Sequence, residues 1–295
     1  MTAMCCLGVR DARACGGPRL GGGDDATSRQ VIIRMTRGVM SGTLVRVKDQ
    51  TGPVVIDGGV VRRPAGPWTP AVHDLLDHLE RSGFTGSPHA VSADGADVVT
   101  YIPGESVSPH AWSDEGVFEV GRLLRSLHET TASFVPPAGA AWHPWPFASD
   151  APDAIISHRD TGPWNIVARD GLPVAFIDWV TAGPADRLEE IAATAWLNAQ
   201  LHDDDIAERQ ELPGARARAA QLRHFADGYR LAAADRQGLV RAMIDYAIRD
   251  SAAEAVQAGV TPQSGDCGAL WAIAWRARSA AWMVRHRSLL DNALA

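Results

Sequence analysis

Apolar and polar residues alternate along this chain with two different periods, and the switches between them mark out its elements. Residues 54–64, "VVIDGGVVRRP", place two β-branched runs on either side of Gly58-Gly59, a pair that tolerates the positive φ angles of a two-residue turn. The pattern predicts a β-hairpin. In "TPAVHDLLDHLERSGF" the apolar positions Val72, Leu75, Leu76 and Leu79 fall at i, i+3, i+4 and i+7 behind Thr69-Pro70, which predicts a one-faced helix. "DVVTYIPGE" predicts a short buried strand, broken at Pro103-Gly104 where a connector between two lobes would fit. Val117, Val120, Leu123, Leu124 and Leu127 then form a helical stripe, and the chain beyond Pro184 is helical in pattern. Leu188, Ile191, Ala192 and Ala195 make one stripe there, and Leu222, Phe225, Ala226 and Tyr229 another. Residues 1–39 are rich in glycine and polar side chains, offer little to bury against the entropy cost of ordering, and predict a disordered arm. Met40, where regular patterning begins, is an alternative start site to Met1.

Composition narrows the class. At 295 residues, 46% hydrophobic and 21% charged, the chain reads as soluble and globular, large enough for two packed units. No apolar run approaches the roughly 18 residues of a membrane helix. A net charge of -7 argues against nucleic acid as a partner. Cys5, Cys6, Cys15 and Cys267 lack metal-site spacing, and the first residues carry no export-type apolar segment, so reduced thiols and a cytoplasmic location are expected. The ten tryptophans are scattered over helical patterns and read as core.

Candidate chemistry concentrates in "SHRDTGPWNIVARDGLPVAFIDWV", residues 157–180. Carboxylates beside buried strands are costly unless something pairs with them. The spacing is His158-x-Asp160-x4-Asn165, with Asp178 thirteen residues further on. Asn and Asp supply oxygen ligands of the kind Mg²⁺ takes when substrate phosphates complete its shell, and a further free carboxylate can accept a proton. The two apolar runs around Asp170-Gly171 predict a tight hairpin that returns Asp178 to the side of Asn165.

"HRDTGPWNIV" followed by "FIDW" resembles the catalytic loop and metal-binding segment of the aminoglycoside phosphotransferase and choline kinase-like family, relatives of the protein kinases, whose consensus is close to H-G-D-x-x-x-x-N and then I-D-W or I-D-F. The resemblance runs from about residue 54 to the C-terminus. It implies an α+β, bilobal protein kinase-like fold: a small sheet-plus-helix nucleotide-binding lobe over residues 40–103 and a larger, mainly helical catalytic and acceptor-binding lobe over 104–295. It implies ATP and Mg²⁺ as cofactors and a small-molecule hydroxyl as acceptor, with no nucleic acid or membrane partner. By position, Asp160 resembles the base, Asn165 and Asp178 the Mg²⁺ ligands, and His158 a residue that packs to hold the loop. Arg62, with Arg63 as its neighbour, stands where the family anchors nucleotide with a lysine. Thr100, Tyr101 and Ile102 occupy the connector facing adenine.

The resemblance also has gaps. The acidic helix residue that normally pairs with the lysine would fall near Val72 or His73 and is absent; the phosphate loop at "VKDQTGP" has only Gly52; Val180 stands where many relatives carry an acid; Gly162 replaces a basic or histidine side chain. Glu189 and Glu190 read as helix-start acids, and "HDDDIAE" as a solvated helix start. These gaps keep open an alternative, a catalytically weak or inactive kinase-like protein that binds nucleotide or a partner. A protein kinase is a third reading: "HRD" is its motif verbatim, but the segment after Asp178 lacks activation-loop landmarks.

Overall fold

The computed structural model describes residues 43–45, 54–91 and 95–295. The predicted arm over residues 1–39 and the expected phosphate loop around Gly52 lie outside the described residues. Four antiparallel strands form the first sheet in the order β1 (Thr43–Val45), β2 (Val54–Asp57), β3 (Val60–Pro64), β4 (Ala96–Thr100). Gly58 and Gly59 both take positive φ, 58° and 80°, and close the predicted β2–β3 hairpin. Between β3 and β4, helix α1 (Thr69–Arg81) starts behind Thr69 with Pro70 in its first turn, and Val72, Leu75, Leu76 and Leu79 are buried along its predicted face.

Past β4 the connector docks on the second half of the molecule. Glu105 exchanges two backbone bonds with Ala168, at 3.0 and 2.7 Å, and a Cβ at Gly104 would lie 2.5 Å from the Ala168 carbonyl, so glycine permits the close approach. Helix α2 (Asp114–Thr131) follows, capped by the Ser113 side chain, which accepts from Gly116 N–H. Two small sheets carry the middle of the chain. Strand β5 (Ile155–Ser157) pairs with β8 (Gly183–Ala185), and the predicted hairpin is β6 (Ile166–Arg169) and β7 (Leu172–Phe176), turning at Asp170-Gly171 with φ of 52° and 76°.

Six helices follow among the described residues: α3 (Arg187–Asn198), α4 (Asp204–Arg209), α5 (Ala215–Tyr229), α6 (Ala233–Gln257), α7 (Cys267–Arg285) and α8 (Arg287–Leu294). The architecture is the expected α+β one, a small sheet-plus-helix region joined to a larger, mainly helical remainder. One continuous apolar core runs through both, from Leu76 and Val99 to Phe225 and Trp282. Among the described residues, no helix is long and apolar enough to cross a membrane.

The acids of "HDDDIAE" do start a helix, α4, and Asp204 is largely exposed, but they are not merely solvated, a partial correction to the sequence reading. Asp203 accepts from Arg278 at 3.0 Å and from Arg285 at 2.6 Å, Asp205 pairs with Arg278, and Asp204 accepts from the Trp282 indole at 2.7 Å. Together they fasten α4 to α7, using arginines that lie more than 70 residues away.

Helices α2 and α5 pack closely through glycines. A Cβ at Gly228 would lie 1.9 Å from the Phe118 carbonyl oxygen, and one at Gly121 would lie 2.2 Å from that of Phe225. Both obstacles are backbone, so relief requires the helices to separate. Gly228→Ala gains about 1 kcal/mol of helix propensity but incurs overpacking of about 1–3 kcal/mol or more. Thermal unfolding should therefore show a lower Tm for Gly228→Ala. Gly238→Ala in α6, where nothing lies within 4 Å of the added Cβ, should raise it.

Candidate active site

The loop leaving β5 is pinned at His158. Its ring is fully buried, sits edge-on to Trp179 at 4.7 Å, accepts from the Asp160 N–H at Nδ1 (3.2 Å) and meets the Ile177 carbonyl at Nε2 (2.9 Å). Burial lowers its pKa, so the ring is neutral with its proton on Nε2, donating to the residue just before Asp178. Asn165 ends a 3₁₀ turn over Pro163–Asn165; its side-chain N–H donates to the Asp160 carbonyl at 2.9 Å, and its own carbonyl accepts from Ile177 N–H at 2.9 Å. The hairpin thus returns the chain to Asn165 one residue before Asp178, which adopts the left-handed conformation with φ of 63°. Asp160, Asn165 and Asp178 are brought to one place.

Asp160 is 5% exposed, and its pKa is pushed up to about 7, first by burial and then by the charge of Asp178, against the lowering effect of Asn165. Its neighbours behave oppositely. Burial alone would raise Asp97 and Glu190 too, yet both are held below the usual carboxylate range, Asp97 by His73 and Arg63, Glu190 by His128, Ser157 and the Arg159 N–H.

The third-strand cation is Arg63. Strand pleating sends successive side chains to opposite faces, and here Arg62 is exposed while Arg63 is 7% exposed and turned inward, which corrects the preference for Arg62. Arg63 donates through Nε to Asp97 at 2.5 Å and through Nη1 to Asp178 at 2.7 Å, and His73 from α1 meets the other Asp97 oxygen at 2.9 Å. The acid missing from the helix is supplied by β4, directly across the ladder from Arg63. A single acid opening the apolar strand "DVVTY" was the available signal. In the connector, Thr100 N–H bonds His89 and Tyr101 N–H bonds Gly59, so those two amides are committed within the first sheet and its flank, and Ile102 carries the next one.

Glu189 and Glu190 are not equivalent helix-start acids. Asp186 caps α3 by accepting from Glu189 N–H, and Glu189 pairs with Arg249 on the surface. Glu190 is buried and accepts from the Arg159 N–H at 2.9 Å, which places a carboxylate beneath the loop that carries Asp160. At Gly162 a Cβ would lie 2.3 Å from the Trp164 ring, so the indole occupies the space of the missing side chain.

Trp112, Trp179, Trp196, Trp275 and Trp282 are core as expected, with Trp164 packed against it; Trp275 and Trp164 also join Trp145, Tyr246, Asp160 and Asp250 around a cavity of about 20 Å³. Asp250 is raised by burial, opposed by its bond to Arg276.

The donors fit an oxygen-seeking divalent ion held largely by phosphate. Asp178 offers a carboxylate one of whose oxygens already accepts a charged donor, Asn165 offers an amide oxygen, and among the described residues no cluster of three or more His, Cys, Asp or Glu forms a metal cage.

A family model described as the phosphotransferase enzyme family matches residues 140–233, the segment that carries this loop and hairpin. The trifolitoxin immunity protein of Rhizobium leguminosarum bv. trifolii is 49% identical over 244 residues, covering 81% of this chain and 93% of that protein. Among solved structures, a microcompartment-associated aminopropanol kinase aligns over 86% of this chain and 94% of its own at a TM-score of 0.59 and 17% identity. A spectinomycin phosphotransferase with bound ADP and spectinomycin aligns over 83% and 93% at 0.54 and 11% identity. A choline/ethanolamine kinase family protein from Mesorhizobium loti aligns over 86% and 92% at 0.53 and 16% identity. These likenesses carry the fold, and the match to a relative nearly half identical along almost its whole length carries the rest: the chain belongs to the phosphotransferase enzyme family, alongside aminoglycoside and choline kinase-like proteins.

Proposed function

We propose that this protein is an ATP- and Mg²⁺-dependent phosphotransferase that moves the γ-phosphoryl group of ATP to a hydroxyl of a small molecule. The observation that carries the reading is Asp160: a buried carboxylate at the wall of an aromatic cavity, raised to about 7 while the other buried acids named above are matched by cations or donors. In this role Asp160 accepts the hydroxyl proton as the acceptor oxygen bonds to the γ-phosphorus and the bond to the β,γ-bridging oxygen breaks. Asn165 and Asp178 would hold Mg²⁺, whose charge offsets that of the phosphates. Arg63, fixed by Asp97, serves the phosphates, and the connector at Thr100, Tyr101 and Ile102 faces the adenine, with residues 40–103 as the nucleotide lobe and 104–295 as the catalytic and acceptor lobe.

The relative's name concerns immunity to trifolitoxin, and a matching role here is inactivation of a toxin by phosphorylation of one of its hydroxyls. At about 20 Å³ the cavity holds little more than a water, so an acceptor has to open it; its indoles, phenol and carboxylates suit one whose hydroxyl sits beside an apolar or cationic group. The Arg63–Asp178 bond and the small cavity favour a second reading, nucleotide binding without turnover. ADP release from Mg-ATP, followed across trifolitoxin, aminoglycosides, macrolides, choline, ethanolamine and sugars, tests the first reading. Nucleotide binding without acceptor-dependent ADP release anywhere on that panel would support the second.

Asp160→Asn keeps size and removes basicity. Transfer should fall by about 10²–10⁴-fold, the range for a positioned base, with Mg-ATP affinity little changed. In the wild type, kcat/KM should rise with pH to a plateau through an acid limb centred at about 7, since the ionised form is the base.

Stability should respond in the opposite sense. A carboxyl whose folded pKa is raised from 3.8 to about 7 favours the folded state when protonated, and that contribution is lost as pH rises through this window. Asp160→Asn should therefore have a higher Tm than the wild type at pH 8, with the gap closing toward pH 4. An equal or lower Tm at pH 8 would contradict the buried, ionised carboxylate.

The two arginines separate cleanly. Arg63→Met should weaken Mg-ATP binding by about 10- to 100-fold in calorimetric titration, the scale of a charge-assisted hydrogen bond, while Arg62→Met leaves it unchanged. Equal losses in both variants would remove Arg63 from the site.

A further inference from the structure

We propose that Arg159 is a positioning residue that clamps the Asp160 loop to the segment following Asp178; the role rests on the phosphotransferase reading and adds to it a residue that, although it shares the cavity wall with Asp160, acts through the carbonyls it holds. Arg159 has a φ of 68°, a conformation that disfavours a side chain bearing Cβ, so its retention there has to be met by the contacts of residue 159 itself. Those contacts are extensive. The backbone N–H donates to buried Glu190 at 2.9 Å. The guanidinium, on a residue 5% exposed, donates from Nε to the Thr181 carbonyl at 2.5 Å, from Nη2 to Ala182 and His143 at 3.0 Å each, and from Nη1 to Pro184 at 3.4 Å.

Each of these acceptors is a backbone carbonyl. Three belong to residues 181–184, directly behind Asp178, and the fourth to the loop that also supplies Trp145 to the cavity wall, whose ring lies 5.7 Å from the guanidinium. That loop is tied back to β8 by the Ser149 N–H to Pro184 carbonyl bond at 3.3 Å. A Cβ at Gly183 would fall 2.6 Å from Nη2, so a side chain at that position would displace the guanidinium. A guanidinium presents its N–H donors in a fixed planar fork, and this one makes four bonds to two stretches of chain, at His143 and at 181–184, that must stay in register with its own loop for Asp160 and Asp178 to face one reacting group. With four of its five donors engaged by protein carbonyls, Arg159 has no open fork to grip a phosphate. It acts through what it holds.

The test compares wild type, Arg159→Lys and Arg159→Gly, the last suited to the backbone conformation, with circular dichroism to establish that each folds. If Arg159→Gly does not fold, Arg159→Lys carries the comparison. Hydrogen exchange should quicken in peptides spanning 143–149 and 181–185, and kcat for Mg-ATP-dependent transfer should fall by about 10- to 100-fold with the KM for ATP nearly constant, as expected of a sub-ångström to 1 Å misplacement. Millimolar guanidinium should return part of kcat to Arg159→Gly and none to Arg159→Lys, whose ammonium fills the space without the fork. Unchanged exchange in both segments, or a loss that falls on the KM for ATP instead of kcat, overturns the clamp. Faster exchange alongside a wild type that transfers to no acceptor upholds the clamp and instead sinks the phosphotransferase reading.

Discussion

Arg63 is the charge on which the arrangement of the site depends. A guanidinium buried this deeply must be matched, and its two partners come from different halves of the molecule, Asp97 from the neighbouring strand and Asp178 from the turn after the second hairpin. Burial would lower its pKa, but the two carboxylates outweigh that and push it higher, so it stays charged. Removing one partner of such a group typically costs about 3–5 kcal/mol because a buried charge is left uncompensated. The sheet and the second hairpin are therefore tied to each other through this ion pair, and the connector bonds between Glu105 and Ala168 repeat the tie.

Below that contact the geometry of the Asp160 loop is held by the groups around it. His158 fixes the loop to Ile177, Glu190 holds the Arg159 N–H, and Thr161 is secured through its hydroxyl to Thr194 and through its carbonyl to Asn198. Asp160 is raised to about 7 with no cation beside it, whereas Asp250, also raised by burial, is bonded to Arg276. Buried acids with matched partners explain why the loop stays in place; a buried acid pushed to about 7 suits proton transfer near neutrality.

The sites of correction share a cause. Arg62 and Arg63 differ by one position, and only the pairing register and the face of the sheet that is covered decide which points inward. Glu189 and Glu190 differ by about 100° around a helix axis, and the fold turns one to solvent and the other beneath the loop. The Asp203–Asp205 acids look solvated in isolation because their arginines arrive from a helix far along the chain.

The sequence by itself determined the elements whose causes are local. Gly58-Gly59 and Asp170-Gly171 encode their turns, the stripe from Val72 to Leu79 encodes a helix, and the twelve residues between Asn165 and Asp178 are a hairpin that has to bring its ends together. The grouping of Asp160, Asn165 and Asp178 follows from that hairpin and one short turn, so it was legible before any packing was known. The tertiary structure alone decided that Asp97 replaces the missing helix acid, that Glu190 supports the loop, that Arg159 joins three segments, and that three tryptophans wall a cavity. These pairings span 31 to 115 residues where the hydrogen bonds join Glu190 to Arg159, Asp97 to Arg63 and Asp178 to Arg63. Turn chemistry is set by adjacent residues, whereas the partner of a buried charge is whichever opposite group the packing of strands and helices brings to it.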